Sequence, residues 1–325
     1  MTRPPTTDLI CLVLPLESAS YGPAAAAVKA GFLAAAAEAG STARVRVIGH
    51  GDDGVLPAFA AASESGAALI VGPLTRDDVT TVLALAPQRP RVLVLNQAED
   101  GSGLPNDVFA LTLSIDSDAM LLARQARDDG ARIVAAVVGD APLQRRFKAA
   151  FDANWEQGGG APLHSYRFDP NPEVLRVLRS ELAAHPPDAT LLAVSAGDAA
   201  LAKSFLPPGP VFASSHIADD LAPPMLRDLE GVRYVEIPWL ADPSSPALAR
   251  LPRADLGDPV LDRLYGLGLD AFAIAELLES PIAPDRVEFD GATGHLSLTP
   301  TRVFAREGRL MVIHDGQSGL YTVPQ

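Results

Sequence analysis

At 325 residues the chain exceeds the ~100 to 200 usual for one domain, so two compact units are expected. A formal charge of −14 and an aromatic content of only 6% oppose phosphate backbones and supply no base-stacking surface, which argues against a nucleic-acid partner. No apolar run approaches the ~18 to 20 residues of a membrane-spanning helix, and the single cysteine, Cys11, excludes both a disulfide framework and a cysteine-based metal site.

From Leu9 onward, short apolar runs alternate with stretches of helical period, the pattern of βα units on a mainly parallel sheet. Leu9 to Leu14, Val45 to Ile48, Ala68 to Val71 and Val92 to Leu95 read as strands covered on both faces. Cys11 falls inside the first of these and reads as a small buried hydrophobe. Between strands, Ala24 to Ala39 places Val28, Phe32, Ala35 and Ala39 at helical spacing and stops at Gly40, suited to a C′ position. A further helix starts at Asp116, taken as its N-cap, with Met120, Ala123 and Ala126 on one stripe before Gly130.

The alternation then repeats. Ile133 to Val138, Thr190 to Val194 and Val211 to Ala213 are strands, separated by helices carrying Phe147, Phe151 and Trp155, or Val174, Leu178 and Leu182 with Pro172 as a first helical residue. After Val232 to Glu236 the Pro-rich passage from Pro238 to Pro259 reads as a connection and is the best candidate for the hinge, with a partner loop or a plain connector as the alternatives. Asp258 caps a long helix whose stripe is Leu261, Leu264, Tyr265, Phe272, Ala275 and Leu278. Short strands VEF, HLSL, RLMVI and LYTV finish the chain from Arg286 onward.

Signatures of chemistry are missing: no G-x-S-x-G elbow, H-E-x-x-H helix, Walker A loop or G-x-G-x-x-G after a strand occurs. The histidines (His50, His164, His185, His216, His295 and His314) are dispersed, with no pair at i, i+4 that would build a metal face. Acidic doublets at Asp52-Asp53, Asp77-Asp78, Asp128-Asp129 and Asp219-Asp220 belong to helix ends and solvated turns, because adjacent side chains diverge. Val194-Ser195-Ala196-Gly197 ends a strand and precedes a helix, where a hydroxyl and free N–H groups bind an anion or cap the helix without doing chemistry. No enzyme, cofactor or metal is expected.

Three stretches carry a family resemblance. Ile10 to Gly40 (ICLVLPLESASYGPAAAAVKAGFLAAAAEAG), Ile70 to Val79 (IVGPLTRDDV) and Phe289 to Pro300 (FDGATGHLSLTP) resemble the first strand–loop–helix, the turn after the third strand and a late GATG element of type I periplasmic binding proteins. Within that superfamily, Val94 to Gln97 (VLNQ), Pro238 to Leu240 (PWL) and Arg263 to Leu278 (RLYGLGLDAFAIAELL) are most similar to penicillin-binding-protein activator lipoproteins of the Gram-negative outer membrane.

The resemblance implies an α/β fold of the periplasmic binding protein type I kind: two doubly wound parallel-sheet lobes joined by a hinge, with a ligand-binding cleft. Residues 1–114 plus 241–300 form lobe 1, and residues 115–240 plus 301–325 form lobe 2. It also implies a non-enzymatic periplasmic protein that activates a bifunctional penicillin-binding protein in peptidoglycan synthesis; a receptor for an amino acid or similar small polar solute, of the ABC-transporter type, is the alternative. Attachment to a membrane would be through a lipid anchor alone. The N-terminal Met1 to Asp8 has no signal-peptide pattern, no lipobox cysteine is present and no helical-repeat segment precedes Leu9, as expected of a trimmed mature domain or a short homologue.

Loops at the C-terminal ends of strands would face the cleft. The candidates are Ser18, Ser20 and Tyr21 after the first strand, Gly72, Pro73 and Leu74 after the third, and Asn96 and Gln97 after the fourth. From the second lobe come Asp140, Ser195, Gly197, Ser214, Ser215 and His216. A zwitterion would place its carboxylate on Ser18, Ser20 and Ser195, and its ammonium group on Asp140 or Asp219.

Overall fold

The computed structural model describes residues 9–85, 90–98, 103–219, 223–279 and 286–322; Met1 to Asp8, Asp220 and Val323 lie outside the described residues. The chain divides into two units: Met1–Leu113 with Pro238–Arg306, and Ser114–Ile237 with Glu307–Gln325.

Unit 1 begins with β1 (Ile10–Leu14), α1 (Gly22–Glu38), β2 (Val45–Gly49), α2 (Leu56–Glu64), β3 (Leu69–Val71), α3 (Arg76–Leu83), β4 (Arg91–Val94) and β5 (Val108–Leu111). Unit 2 follows with α4 (Ile115–Asp128), β6 (Val134–Val138), α5 (Pro142–Gln157), β7 (His164–Arg167), α6 (Pro172–Ala184), β8 (Ala189–Ala193), α7 (Ala196–Lys203), β9 (Val211–Ala213), α8 (Pro223–Leu226) and β10 (Val232–Glu236). The chain returns to unit 1 for α9 (Pro238–Ala241), α10 (Pro259–Leu278), β11 (Glu288–Asp290), β12 (His295–Leu298) and β13 (Val303–Glu307), then ends in unit 2 with β14 (Arg309–His314) and β15 (Gln317–Leu320).

The sheet orders are β11-β12-β13-β5-β4-β3-β1-β2 and β15-β14-β10-β9-β8-β6-β7. Each contains five successive strands in the doubly wound order 2-1-3-4-5, with parallel pairing throughout that segment. Strand order therefore reverses between β1 and β3 in unit 1 and between β6 and β8 in unit 2. Helices cannot cover the sheet outside the C-terminal ends of those strands, so each reversal leaves a crevice.

The two cores are closed by different means. In unit 1, α1 packs on α10 through glycines: a Cβ on Gly31 would lie 2.0 Å from the Tyr265 carbonyl oxygen, and one on Gly268 would lie 2.2 Å from that of Val28. The close approach lets Phe32 meet Phe272 edge to face at 5.3 Å. In unit 2, α5 instead supplies bulk: Phe147, Phe151 and Trp155 are buried against Ala119, Leu122, Ala123 and Ala126 of α4. The Trp155 indole N–H donates to the Ala161 carbonyl at 2.9 Å, so its one polar atom is satisfied.

Several expectations are corrected. Ser114, not Asp116, caps α4: its Oγ accepts the Asp116 N–H at 3.2 Å. Met120 and Val174 are exposed, because each buried stripe begins one position away, at Ala119 on α4 and Leu175 on α6; Ala123, Ala126, Leu178 and Leu182 are buried as expected. The last strand is Gln317–Leu320 rather than the LYTV run, since β14 turns back at Asp315-Gly316 and pairs His314 with Gln317. The passage from Pro238 lies within unit 1 and contains α9 and a turn at Pro246–Leu248, so the chain crosses between units at its leading edge and not along its length. Residues 238–240 and 301–306 cluster with unit 1 because Trp239 N–H donates to the Ala292 carbonyl and β13 pairs with β5.

Candidate functional site

Each crevice at a reversal of strand order holds a cavity. The one in unit 1 has a volume of about 440 Å³ and is lined by Tyr21 and Ala24 at the start of α1, the β3–α3 turn from Leu74 to Asp77, Asn96 after β4, and Leu264 of α10. The one in unit 2 measures about 260 Å³ and occupies the corresponding place: Ala141 to Gln144 follow β6, Ala193 to Ala196 follow β8, and Ser214 and His216 follow β9.

The unit 1 cavity is furnished with charge. Thr75 caps α3, its Oγ1 accepting the Asp78 N–H at 3.2 Å and donating to the Asp78 carboxylate at 2.5 Å. Arg76 and Asp77 stand in the first helical turn with side chains in no ion pair among the described residues, so a cation and an anion both border the cavity. Asn96 is fixed by donating its amide to the Leu74 carbonyl at 3.0 Å and accepting the Gln97 N–H at 2.9 Å. Beneath the turn, buried His50 donates Nδ1–H to the Gly51 carbonyl at 3.2 Å, with Nε2 at 3.8 Å from Asp78 Oδ2.

The unit 2 cavity is apolar by comparison, with Ile115, Leu143, Phe147 and Val194 in its wall. Its polar side chains hold local structure. Ser195 Oγ donates to Asp198 Oδ2 at 2.7 Å and accepts the Asp198 N–H at 3.2 Å, capping α7. Gln144 accepts the Ala141 N–H at 3.1 Å, and His216 Nδ1 meets Asp219 Oδ2 at 2.8 Å. Ser195 thus points its hydroxyl hydrogen at the carboxylate of its own capping turn, and no hydrogen bond joins it to His216 among the described residues.

Among the sequence candidates, Tyr21, Leu74 and Asn96 come together in unit 1, and Ser195, Ser214 and His216 in unit 2. Ser18 is buried and accepts the Tyr21 N–H at 3.2 Å, forming the turn into α1, while Ser20 is exposed. Gly72 and Pro73 are buried, and Gly72 is there for packing: at φ 105°, a Cβ would lie 2.0 Å from the Val13 carbonyl oxygen. Gln97 borders a separate unit 1 cavity of about 190 Å³ with Leu104, Ala110 and Val303. Gly197 is in the first turn of α7, and Ser215 is buried in the turn after β9. Asp140 is gripped by the Arg167 guanidinium, with Nε at 3.1 Å from Oδ1, and this hydrogen bond holds its carboxyl below the usual range. The carboxylates offered for an ammonium group thus have protein partners: Asp140 has Arg167 and Asp219 has His216.

Sequence reasoning missed Arg76, Asp77, Leu264, Leu143 and Phe147. Thr75-Arg76-Asp77-Asp78 does carry the signature of a helix N-terminus, a hydroxyl three residues before a carboxylate, and that signal would have placed Arg76 at the strand end.

Two α/β units with the doubly wound strand order, each with a crevice at its reversal point, define the architecture of type I periplasmic binding proteins. The chain belongs to the family described as LppC putative lipoprotein, which matches residues 4–314. Curated relatives are penicillin-binding protein activators LpoA: that of Escherichia coli (strain K12) is 25% identical over 299 residues, 78% of this chain and 44% of its own, and that of Pantoea ananatis is 27% identical over 318 residues, 84% and 47%. The chain thus spans less than half the length of these relatives. Among solved structures, the LpoA (YraM) C-domain from Haemophilus influenzae, a regulator of PBP1A, superposes with a TM-score of 0.81 at 23% identity, covering 97% of this chain and 100% of that one. A putative branched-chain amino acid ABC transporter from Chromobacterium violaceum gives 0.79 at 33% identity, covering 93% and 99%.

Proposed function

We propose that this chain is the binding-protein-like regulatory domain of a penicillin-binding-protein activator, acting in the periplasm by contact with a bifunctional peptidoglycan synthase and catalysing no reaction itself. The family match over nearly the whole chain, with relatives named as activators, is the observation that carries the reading. The site chemistry supports it: the strand-end serine is a helix cap bonded to Asp198, and no hydrogen bond joins it to His216, which pairs with Asp219, among the described residues. An outer-membrane lipid anchor on a precursor belongs to the same proposal. The test is reconstitution: added to a bifunctional synthase from the same organism, the chain should bind it and raise its rate of peptidoglycan cross-linking. Absence of binding at micromolar concentrations would overturn the reading.

A second reading, a receptor for a small polar solute, is favoured by the two cavities and by the likeness to the Chromobacterium violaceum protein. In it, Tyr21, Leu74 and Asn96 would contact ligand in unit 1, with Ser195, Ser214 and His216 doing so in unit 2. A thermal-shift screen of amino acids and peptidoglycan fragments tests it: a saturable rise in melting temperature is expected, and indifference to every compound counts against it.

A further inference from the structure

The GATG element lines neither strand-reversal cavity, yet its backbone is closely hydrogen-bonded. Gly291 N–H donates to the Gly294 carbonyl at 2.9 Å, closing a tight turn. Asp270, inside α10 and 2% exposed, receives that turn: Ala292 N–H donates to Oδ1 at 2.7 Å, and Thr293 donates to Oδ2 through its N–H at 2.7 Å and its hydroxyl at 2.6 Å. The missing side chain at Gly291 makes the room, because a Cβ there would lie 2.5 Å from Asp270 Oδ1.

What the turn holds in its own right is the chain ends of unit 1. The chain enters unit 1 at Pro238 and leaves it after Arg306. Trp239 N–H, one residue past the entry, donates to the Ala292 carbonyl at 3.0 Å. The buried Arg306 guanidinium, at the exit, donates to the Thr293 carbonyl at 3.1 Å. Two of the three places where the chain passes between units are therefore rooted on carbonyls of the same two residues, whose N–H groups are gripped by one carboxylate.

We infer that Asp270 is a positioning residue for these connections: its carboxylate fixes the Gly291–Thr293 turn, and through it the unit 1 ends of the segments entering at Pro238 and leaving at Arg306. A charged carboxylate accepts three short hydrogen bonds strongly and balances the buried Arg306 charge; a neutral one does neither as well. Burial pushes the Asp270 carboxyl up to about 6, against the opposing pull of Thr293, Ala292 and Arg306, so mild acidity changes its charge. Acid should therefore loosen both roots. Over the same range the group's contribution to global stability moves the other way, because the folded state binds this proton more tightly than the unfolded state does.

Residue-resolved hydrogen exchange on the intact chain tests this, with Asp270→Asn and, as a milder variant that removes only the hydroxyl bond, Thr293→Val. Exchange at Trp239, Ala292 and Thr293 should quicken about ten-fold or more in Asp270→Asn and less in Thr293→Val, with the amides of β1 and β8 unchanged. After correction for intrinsic rates, the wild type should show the same local loosening between about pH 7.5 and pH 5, and Asp270→Asn should show none. Unchanged protection at Trp239 in both variants would overturn the inference, as would equal acceleration of every amide, which is what a merely structural role predicts.

Discussion

The two units share a strand order but not a way of using it. Both place a cavity where the order reverses, yet unit 1 borders its cavity with Arg76 and Asp77, whereas unit 2 walls its own with Ile115, Leu143 and Phe147 and commits Ser195 and Gln144 to helix capping. Their cores differ in the same spirit: unit 1 brings helix backbones together over glycines, and unit 2 fills the space with a tryptophan and two phenylalanines. Topology decides where a pocket opens, and the first helical turn after each strand decides what it can hold.

The glycine-mediated packing of unit 1 tolerates a side chain least at Gly31. A Gly31→Val substitution drives side-chain atoms into the Tyr265 carbonyl with no flexible group to yield, and should cost about 4 kcal/mol or more, melting unit 1 before unit 2 in calorimetry. Trp155→Ala leaves a cavity that α4 and α5 can partly close and should cost about 3 to 5 kcal/mol, this time with unit 2 melting first. If either substitution lowered a single shared transition, the units would not be independent cores.

A third difference is electrostatic. Asp270 is the buried carboxyl of unit 1 with a folded value near 6, against an ordinary 3.8, so its stabilising contribution is complete below the ordinary value and is lost as pH rises toward 6. Chemical denaturation should show stability falling by on the order of 3 kcal/mol across that interval from this group, a slope that Asp270→Asn removes. Persistence of the slope in the variant would assign it to other groups.

The smallest effects separate the sites. Ser195→Ala removes a cap and should destabilise unit 2 by about 1 kcal/mol. Arg76→Gln removes a side chain with no ion pair among the described residues, and should leave stability within about 0.5 kcal/mol. The reverse order would mean that unit 1 uses Arg76 for its fold.

Much of this architecture is legible in the sequence, for a physical reason. Strands such as Ile10–Leu14 and Val134–Val138 are covered on both faces and so read as unbroken apolar runs, and Asp258 announces α10 as a cap. The edge strand His164–Arg167, polar and largely exposed, has no such signal, and with it went the Arg167 partner that occupies Asp140. Short α3 was unread for want of a long period, which concealed Arg76. Tyr21, Leu74 and Asn96 stand at strand ends, which is local information; Leu264 reaches the same cavity from a helix far along the chain, and no local pattern announces that.

On the proposed function, the chain works by touching a peptidoglycan synthase. Titrating the purified chain into a bifunctional penicillin-binding protein from the same organism, with binding and cross-linking rate read together, tests it most directly. Saturable binding accompanied by faster cross-linking is the predicted result. A synthase that neither binds the chain nor changes its rate, while an amino acid raises the chain's melting temperature, would rule out a synthase regulator and leave a solute receptor in its place.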